Sequence, residues 1–365
     1  MKILIGMSGG VDSAYAAKKL IDAGHTVEGA ILIMHPYTEI QAAEDVCRSL
    51  DIRLRLVDCR EAFSRVVVTD FINEYKSART PNPCVICNSE IKFRYLYEEA
   101  VKNGFDAIAT GHYGRVVRID ENGNITENTK SAPLGGEGRY ALMRGKDIRK
   151  DQTYMLWRLP AEILSRLILP LGEETKEEVK VSAREAEISA ADREESQEIC
   201  FIPDNDYAAF IEERTGPSEK GNFIDEEGRV LGTHNGIIRY TMGQRRGLGI
   251  SAASRIFVTD INVSENTITL SPTDKTYDTV FVRNISFSGM KPPAAGDTRT
   301  LTVKLRYGAK PAECTVEFLD EDSAIVKLHT PQRAVTPGQS AVFYDGDLLV
   351  CGGFIDSQRW KSDKV

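Results

Sequence analysis

A short apolar strand, Lys2 to Met7, runs into Ser8-Gly9-Gly10-Val11-Asp12-Ser13, and a helical pattern follows at once (Ala14, Ala16, Ala17, Leu20, Ile21). A glycine turn between a strand and a helix belongs to the carboxyl edge of an open α/β sheet, where ligands of such sheets bind. The free N–H groups and positive dipole end of that helix favour anions, phosphates above all. Gly9 and Gly10 let backbone amides approach an oxygen that a Cβ would block, and Ser8 and Ser13 add hydroxyls.

The loop is not a Walker loop, because no Gly-Lys-Ser/Thr follows, and it contains no GxGxxG. Asp12 stands where a lysine is missing. A carboxylate beside phosphates makes sense if it holds Mg2+, an oxygen-seeking ion that bridges substrate phosphates. SGGVDS resembles the loop of the PP-loop pyrophosphatases. That resemblance implies ATP cleaved between its α and β phosphates, leaving an adenylated substrate and pyrophosphate. The plain alternative is a capped helix without a ligand, and two glycines between two serines argue against it.

The chain has 365 residues, 41% hydrophobic and 27% charged, which fits two or three globular domains. It contains no apolar run of membrane-spanning length and no signal-peptide pattern. Seven widely spaced cysteines argue for a reducing cytoplasm rather than a disulfide framework. A net charge of −8 argues against indiscriminate nucleic-acid binding, but charge is uneven along the chain. Residues 173–198 carry 10 acidic and 4 basic side chains. Gly228 to Thr259 holds five arginines (229, 239, 245, 246 and 255) and no acid, and 283–310 holds six basic residues against Asp297 alone. Each cluster alone reads as a solvated face; the two together read as a surface that meets phosphates.

Strands are expected at 2–7, 27–33, 52–57 and 106–110, and helices at 12–23, 39–50, 61–75 and 89–103, an alternation that implies a doubly wound parallel sheet. Residues 120–138 read as a flexible hairpin or insertion. Pro160 opens a helix that Pro170-Leu171-Gly172 ends, and Thr175 with Glu178 forms a capping box for the next. After about residue 203 short alternating strands take over, six of them beyond 279. The expected organisation is an α/β domain over 1–202, a small β-rich domain over 203–277 and a C-terminal β-barrel over 278–365.

Cys84 and Cys87 lie in RTPNPCVICNSEIKF. Pro81 and Pro83 make the preceding segment extended, so both cysteines are expected in a loop feeding a helix near Ser89. A cysteine at a helix N-terminus is the better nucleophile, its pKa lowered there. Cys200 sits where the acidic stretch gives way to an apolar one, while Cys47, Cys59, Cys314 and Cys351 read as small core fillers. No second pair at zinc-finger spacing follows, and a Cys-x-x-Cys redox pair would sit nearer the first strand.

SGGVDS, RTPNPCVICNSEIKF, ATGHY (109–113), KDQTYML (150–156), SQEICFI (196–202) and RYTMGQRRGLGI (239–250) occur in this order. Together they resemble the tRNA-uridine 2-sulfurtransferases, or tRNA 2-thiouridylases, from residue 3 to about 355. The resemblance implies that ATP adenylates the C2 oxygen of the wobble uridine and that a protein-borne sulfur displaces AMP. It implies ATP contacts at Gly6, Met7, Ser8, Gly9, Gly10, Val11, Asp12, Ser13, Met34 and Gly111. Cys87 matches the family nucleophile and Cys200 the persulfide carrier, the two ending as a disulfide to be reduced. Asn82, Pro83 and Cys84 fall on the segment that touches the target base. His112, Lys150, Asp151, Gln152, Arg306, Tyr307 and Gln339 fall on family tRNA contacts, Arg306-Tyr307 offering a phosphate contact beside a stacking face. The implied partners are the tRNA anticodon stem-loop, with its base turned out of the stack, and a cysteine desulfurase or sulfur-relay protein.

Many members carry an aspartate, assigned acid/base work, where this chain has Cys84. Cys84, Cys87 and Cys200 would also suit a [4Fe–4S] cluster with one open iron. The persulfide route needs only Cys87 and Cys200 and ranks ahead. Two rivals are an ammonia-dependent PP-loop ligase, which gives the cysteines no purpose, and a non-catalytic RNA-binding protein, against which the intact SGGVDS speaks.

Overall fold

The computed structural model describes residues 1–127, 133, 136–188, 190, 199–250 and 255–356. Part of the expected 120–138 hairpin, the acidic residues 191–198 with the start of SQEICFI, and the C-terminal 357–365 lie outside the described residues.

Five parallel strands form the first sheet. Lys2–Gly6 lies at its centre, with Thr26–Ile33 and then Leu54–Asp58 on one side and Ala107–Ala109 and then Leu167–Ile168 on the other. The order reverses at the first strand, so the crevice of this doubly wound sheet opens beside the glycine loop. Ile3, Leu4 and Ile5 are fully buried between the helix layers, as a parallel strand covered on both faces requires. The fifth strand was expected inside a helix. The helix from Pro160 instead spans only Ala161–Leu164, and Leu167–Ile168 pairs with Ile108 and Ala109. The apolar run ILSRLILPL is equally compatible with a buried helix or a buried strand, and the sheet edge decides it. The Thr175–Glu178 capping box is present at the start of Lys176–Glu185.

The cysteine segment also differs from expectation. The helix starts at Pro83, with Asn82 as N-cap, and runs through Pro83–Cys87, a π-helical turn Asn88–Lys92 and Phe93–Lys102. Proline at the first helical position costs no hydrogen bond and presets φ, so Pro83 begins the helix rather than delaying it.

A four-stranded sheet (Gly221–Ile224, Val230–His234, Phe257–Asn262, Thr267–Ser271) forms the middle of the chain. The six C-terminal strands close into a barrel through pairing of Thr276–Phe287 with Leu348–Asp356. The barrel's sheet has an extension that no pattern announces: Arg115–Ile119, Ile125–Glu127 and Arg139–Met143, from the first part of the chain, continue it where Leu142 and Met143 pair with Leu349 and Leu348. Among the described residues no helix is long and apolar enough to cross a membrane.

Candidate active site

The glycine loop is closed by its own residues. The Ser13 hydroxyl donates to the Gly10 carbonyl at 3.0 Å and accepts from the Ser8 amide at 3.2 Å, and the Ser8 hydroxyl accepts from the Gly10 amide at 3.4 Å. Gly9 has φ +76°, and a Cβ there would stand 2.5 Å from the Ala42 methyl. Gly111 lies against the start of the same helix, where a Cβ would meet the Asp12 and Ser13 backbone at 2.7 Å. Of the other expected ATP residues, Gly6 ends the first strand, while Met7 and Val11 are buried in the core, with the Met7 amide bonded to the Ala30 carbonyl.

Asp12 is not free to hold Mg2+. Lys176, 3% exposed, places its ammonium 2.7 Å from both Asp12 carboxylate oxygens, and the Tyr113 hydroxyl donates to one of them at 2.8 Å. The cation missing from the loop sequence thus arrives from 164 residues away. Lys176 sits inside the capping box of an acidic helix, and its pairing with Asp12 leaves no signature in sequence.

Cys87, 5% exposed, packs on the carboxyl edge of the sheet with its Sγ 3.8 Å from the Met34 Sδ. Met34 directly follows the strand paired with Lys2–Gly6. The next turn of the cysteine helix touches the same edge, with the Phe93 ring 5.3 Å from that of His112. The expected lowering of the Cys87 pKa is not found. The thiol lies a turn inside the helix, and burial pushes it up to about 12, with the Lys92 charge opposing. The protein packed around its sulfur also raises the Cys200 thiol, against Lys92 again, although the residue as a whole is exposed. Lys92 was not singled out from sequence. Burial works against its charge, but the thiols of Cys87, Cys84 and Cys200 raise its pKa. Burial and the same lysine push His112 down to about 3, so it stays a neutral ring near neutral pH, bonded to the Thr110 hydroxyl at 2.9 Å.

Cys84 and Cys200 are exposed while Cys87 is buried. Among the described residues no three His, Cys, Asp or Glu side chains converge as metal ligands. In this arrangement the three cysteines are not the ligand set of a [4Fe–4S] cluster, and no step is derived through one.

The residues expected at tRNA contacts separate into two groups. Arg306 and Tyr307 are exposed on the barrel, the Tyr307 ring 6.0 Å from that of Tyr154. Asp151, by contrast, is 3% exposed and accepts from the Gly145 amide and the Thr153 hydroxyl. Gln152 exchanges hydrogen bonds with the Tyr113 backbone at 2.9 Å. Lys150 closes a turn onto the Asp147 carbonyl, and Gln339 donates to backbone carbonyls of the cysteine segment. Several arginines of the two basic stretches are ion-paired: Arg229 with Asp225, Arg239 with Glu212 and Arg283 with Asp356, acids outside those stretches, and Arg299 with Asp297, the one acid within them. Arg245 and Arg246 remain exposed.

Three family models match in order: a tRNA methyl transferase HUP domain over residues 1–204, its PRC-barrel domain over 208–272 and an aminomethyltransferase beta-barrel domain over 277–355. The chain is 40% identical to a tRNA-specific 2-thiouridylase MnmA of Clostridium acetobutylicum, over 97% of this chain and 99% of that one. It belongs to the tRNA-specific 2-thiouridylase family. A relative with the same description from Carboxydothermus hydrogenoformans is 40% identical over 98% of both chains. The 2-thiouridylase fold accounts for both the parallel sheet with its phosphate loop and the barrel that follows.

Proposed function

We propose that this 2-thiouridylase adenylates the C2 oxygen of the wobble uridine of tRNA and replaces that oxygen with sulfur, giving 2-thiouridine. The observation that carries the proposal is the contact of Cys87 with Met34, which brings a thiol to the edge where the phosphate loop lies. A urea-like carbonyl is a poor electrophile, so attaching AMP makes its oxygen a leaving group. The N-terminal amides of the helix at Val11, Asp12 and Ser13 cradle the phosphates, and Lys176 supplies the positive charge that phosphoryl transfer needs.

A cysteine desulfurase or relay protein charges Cys200 as a persulfide. The Cys87 thiolate attacks the Cys200 sulfur, the S–S bond to the terminal sulfur breaks, and hydrosulfide leaves. Hydrosulfide adds to C2, AMP departs, and a proton is released. The Cys87–Cys200 disulfide is then reduced by an external thiol. Lys92, whose charge works to lower the pKa of the Cys87 and Cys200 thiols, balances the negative sulfur in this step. Arg306 and Tyr307 offer the RNA a phosphate contact and a stacking face.

The test is mass spectrometry of nucleosides after incubation with unmodified tRNA, ATP, cysteine and a cysteine desulfurase. Cys87→Ala and Cys200→Ala are expected to abolish 2-thiouridine while tRNA binding survives. Undiminished 2-thiouridine from either variant overturns the assignment.

A further inference from the structure

We propose that Gln339 is a positioning residue for sulfur transfer: from the barrel it fixes the backbone leading into the cysteine helix, and so the place of Cys87. The inference rests on the sulfur-handling role given to Cys87 above.

The segment Thr80-Pro81-Asn82-Pro83 is poorly equipped to hold itself. Two of its four residues lack an N–H, and carbonyls this close to a buried site need partners. The barrel supplies them. Gln339 donates to the Thr80 carbonyl at 3.2 Å and to the Pro81 carbonyl at 3.0 Å, which engages both N–H bonds of its amide. The Thr80 amide donates to the Pro337 carbonyl at 2.8 Å.

The Gln339 segment is itself anchored. The Gly338 amide donates to the Ile355 carbonyl at 2.9 Å, and the Ile355 amide to the Gln339 carbonyl at 2.8 Å. Next to it, Arg79 pairs with Glu74 at 2.9 Å and with the buried Asp356 at 3.3 Å, and Asp356 also holds Arg283 at 2.9 Å. From the other side the Tyr154 hydroxyl donates to the Ser340 carbonyl and the Trp157 indole to the Ser340 hydroxyl, both at 3.0 Å. The Tyr154 hydroxyl also lies near the side chain of Asn82, the helix N-cap. Just past Cys87, the Asn88 side-chain amide donates to the Met155 carbonyl at 3.0 Å. The helix is therefore gripped before and after Cys87 by elements outside its own sheet. Misplacing a reacting group by about 1 Å costs on the order of 10²-fold in rate, so loosening this grip should slow sulfur transfer more than it weakens any ligand.

Gln339→Met keeps the length of the side chain and removes both donors. The thiolation kcat is expected to fall roughly 10- to 100-fold, while the tRNA dissociation constant and tRNA-dependent pyrophosphate release each stay within about threefold. Arg79→Lys, which keeps the charge but loses the forked contact, should show the same pattern more weakly, and it serves if Gln339→Met does not fold. Weaker tRNA binding at unchanged kcat would make Gln339 an RNA contact and overturn the proposal. So would unchanged thiolation, or a parallel fall in pyrophosphate release and thiolation. Cys87→Ala, run alongside, separates the two failures. If it still thiolates, the cysteine assignment has failed and the role of Gln339 falls with it. If it is inactive while Gln339→Met turns over normally, only the positioning role has failed.

Discussion

The phosphate loop and the cysteine helix meet at one edge of one sheet but are built in opposite ways. Six consecutive residues close most of the loop through the hydroxyls of Ser8 and Ser13 and the turn at Gly9. Remote residues hold the cysteine helix: Gln339 from the barrel, at the segment leading into it, and Met155 from a connecting segment. A site made locally tolerates change elsewhere in the chain, whereas a site made by long-range contacts responds to changes in parts that never touch the substrate.

The contrast is sharpest in the reactivity of Cys87. With its thiol pushed up to about 12 by burial, Cys87 in the free enzyme should be alkylated roughly 10²- to 10³-fold more slowly than free cysteine at pH 8, because the thiolate is the reactive form. The sign follows from the direction of the shift. The rate should climb about tenfold per pH unit from 7 to 10 without a plateau, read by mass spectrometry of the labelled peptide. A plateau near pH 8 would mean that the helix presents a solvated thiolate after all.

Lys176 is the exception to the loop's self-sufficiency. Lys176→Met leaves Asp12 without its ammonium and the phosphates without a cation, so pyrophosphate release should fall on the order of 10²-fold. tRNA binding should hold. A normal rate of pyrophosphate release would show the loop to be complete in its six residues. Gly9→Ala combines a positive φ with a close approach to Ala42 and should cost about 1–3 kcal/mol of stability, measured by denaturant unfolding. The smallest effect is expected at Arg306→Ala: tRNA affinity a few-fold weaker, with the salt dependence of binding reduced by about one unit of slope, and ATP affinity unmoved.

The same contrast explains what was legible in the sequence. The strand–turn–helix of residues 2–22 depends on neighbours in the chain, and its pattern named it correctly. The strand Leu167–Ile168 depends on Ile108 and Ala109, so in sequence the apolar run between two prolines reads as helix. Two prolines before the cysteines point to a loop, yet Pro83 opens the helix. Lys176 and Lys92 matter through Asp12 and the three thiols, partners that no spacing announces. The arginine stretches look free in sequence because their partners lie elsewhere in the chain, Asp225 a few residues away but Glu212 and Asp356 far from the arginines they pair with.

The strand Arg139–Met143 completes a sheet whose next strand comes from residues 348 and 349. During synthesis the partner appears about two hundred residues later, which at typical ribosome speed is roughly 10–40 s. Over that interval the nascent N-terminal half carries a hairpin with an unmatched side, the kind of edge that invites pairing with another chain. Truncating the gene after the first domain therefore does more than remove a module: it makes that transient exposure permanent.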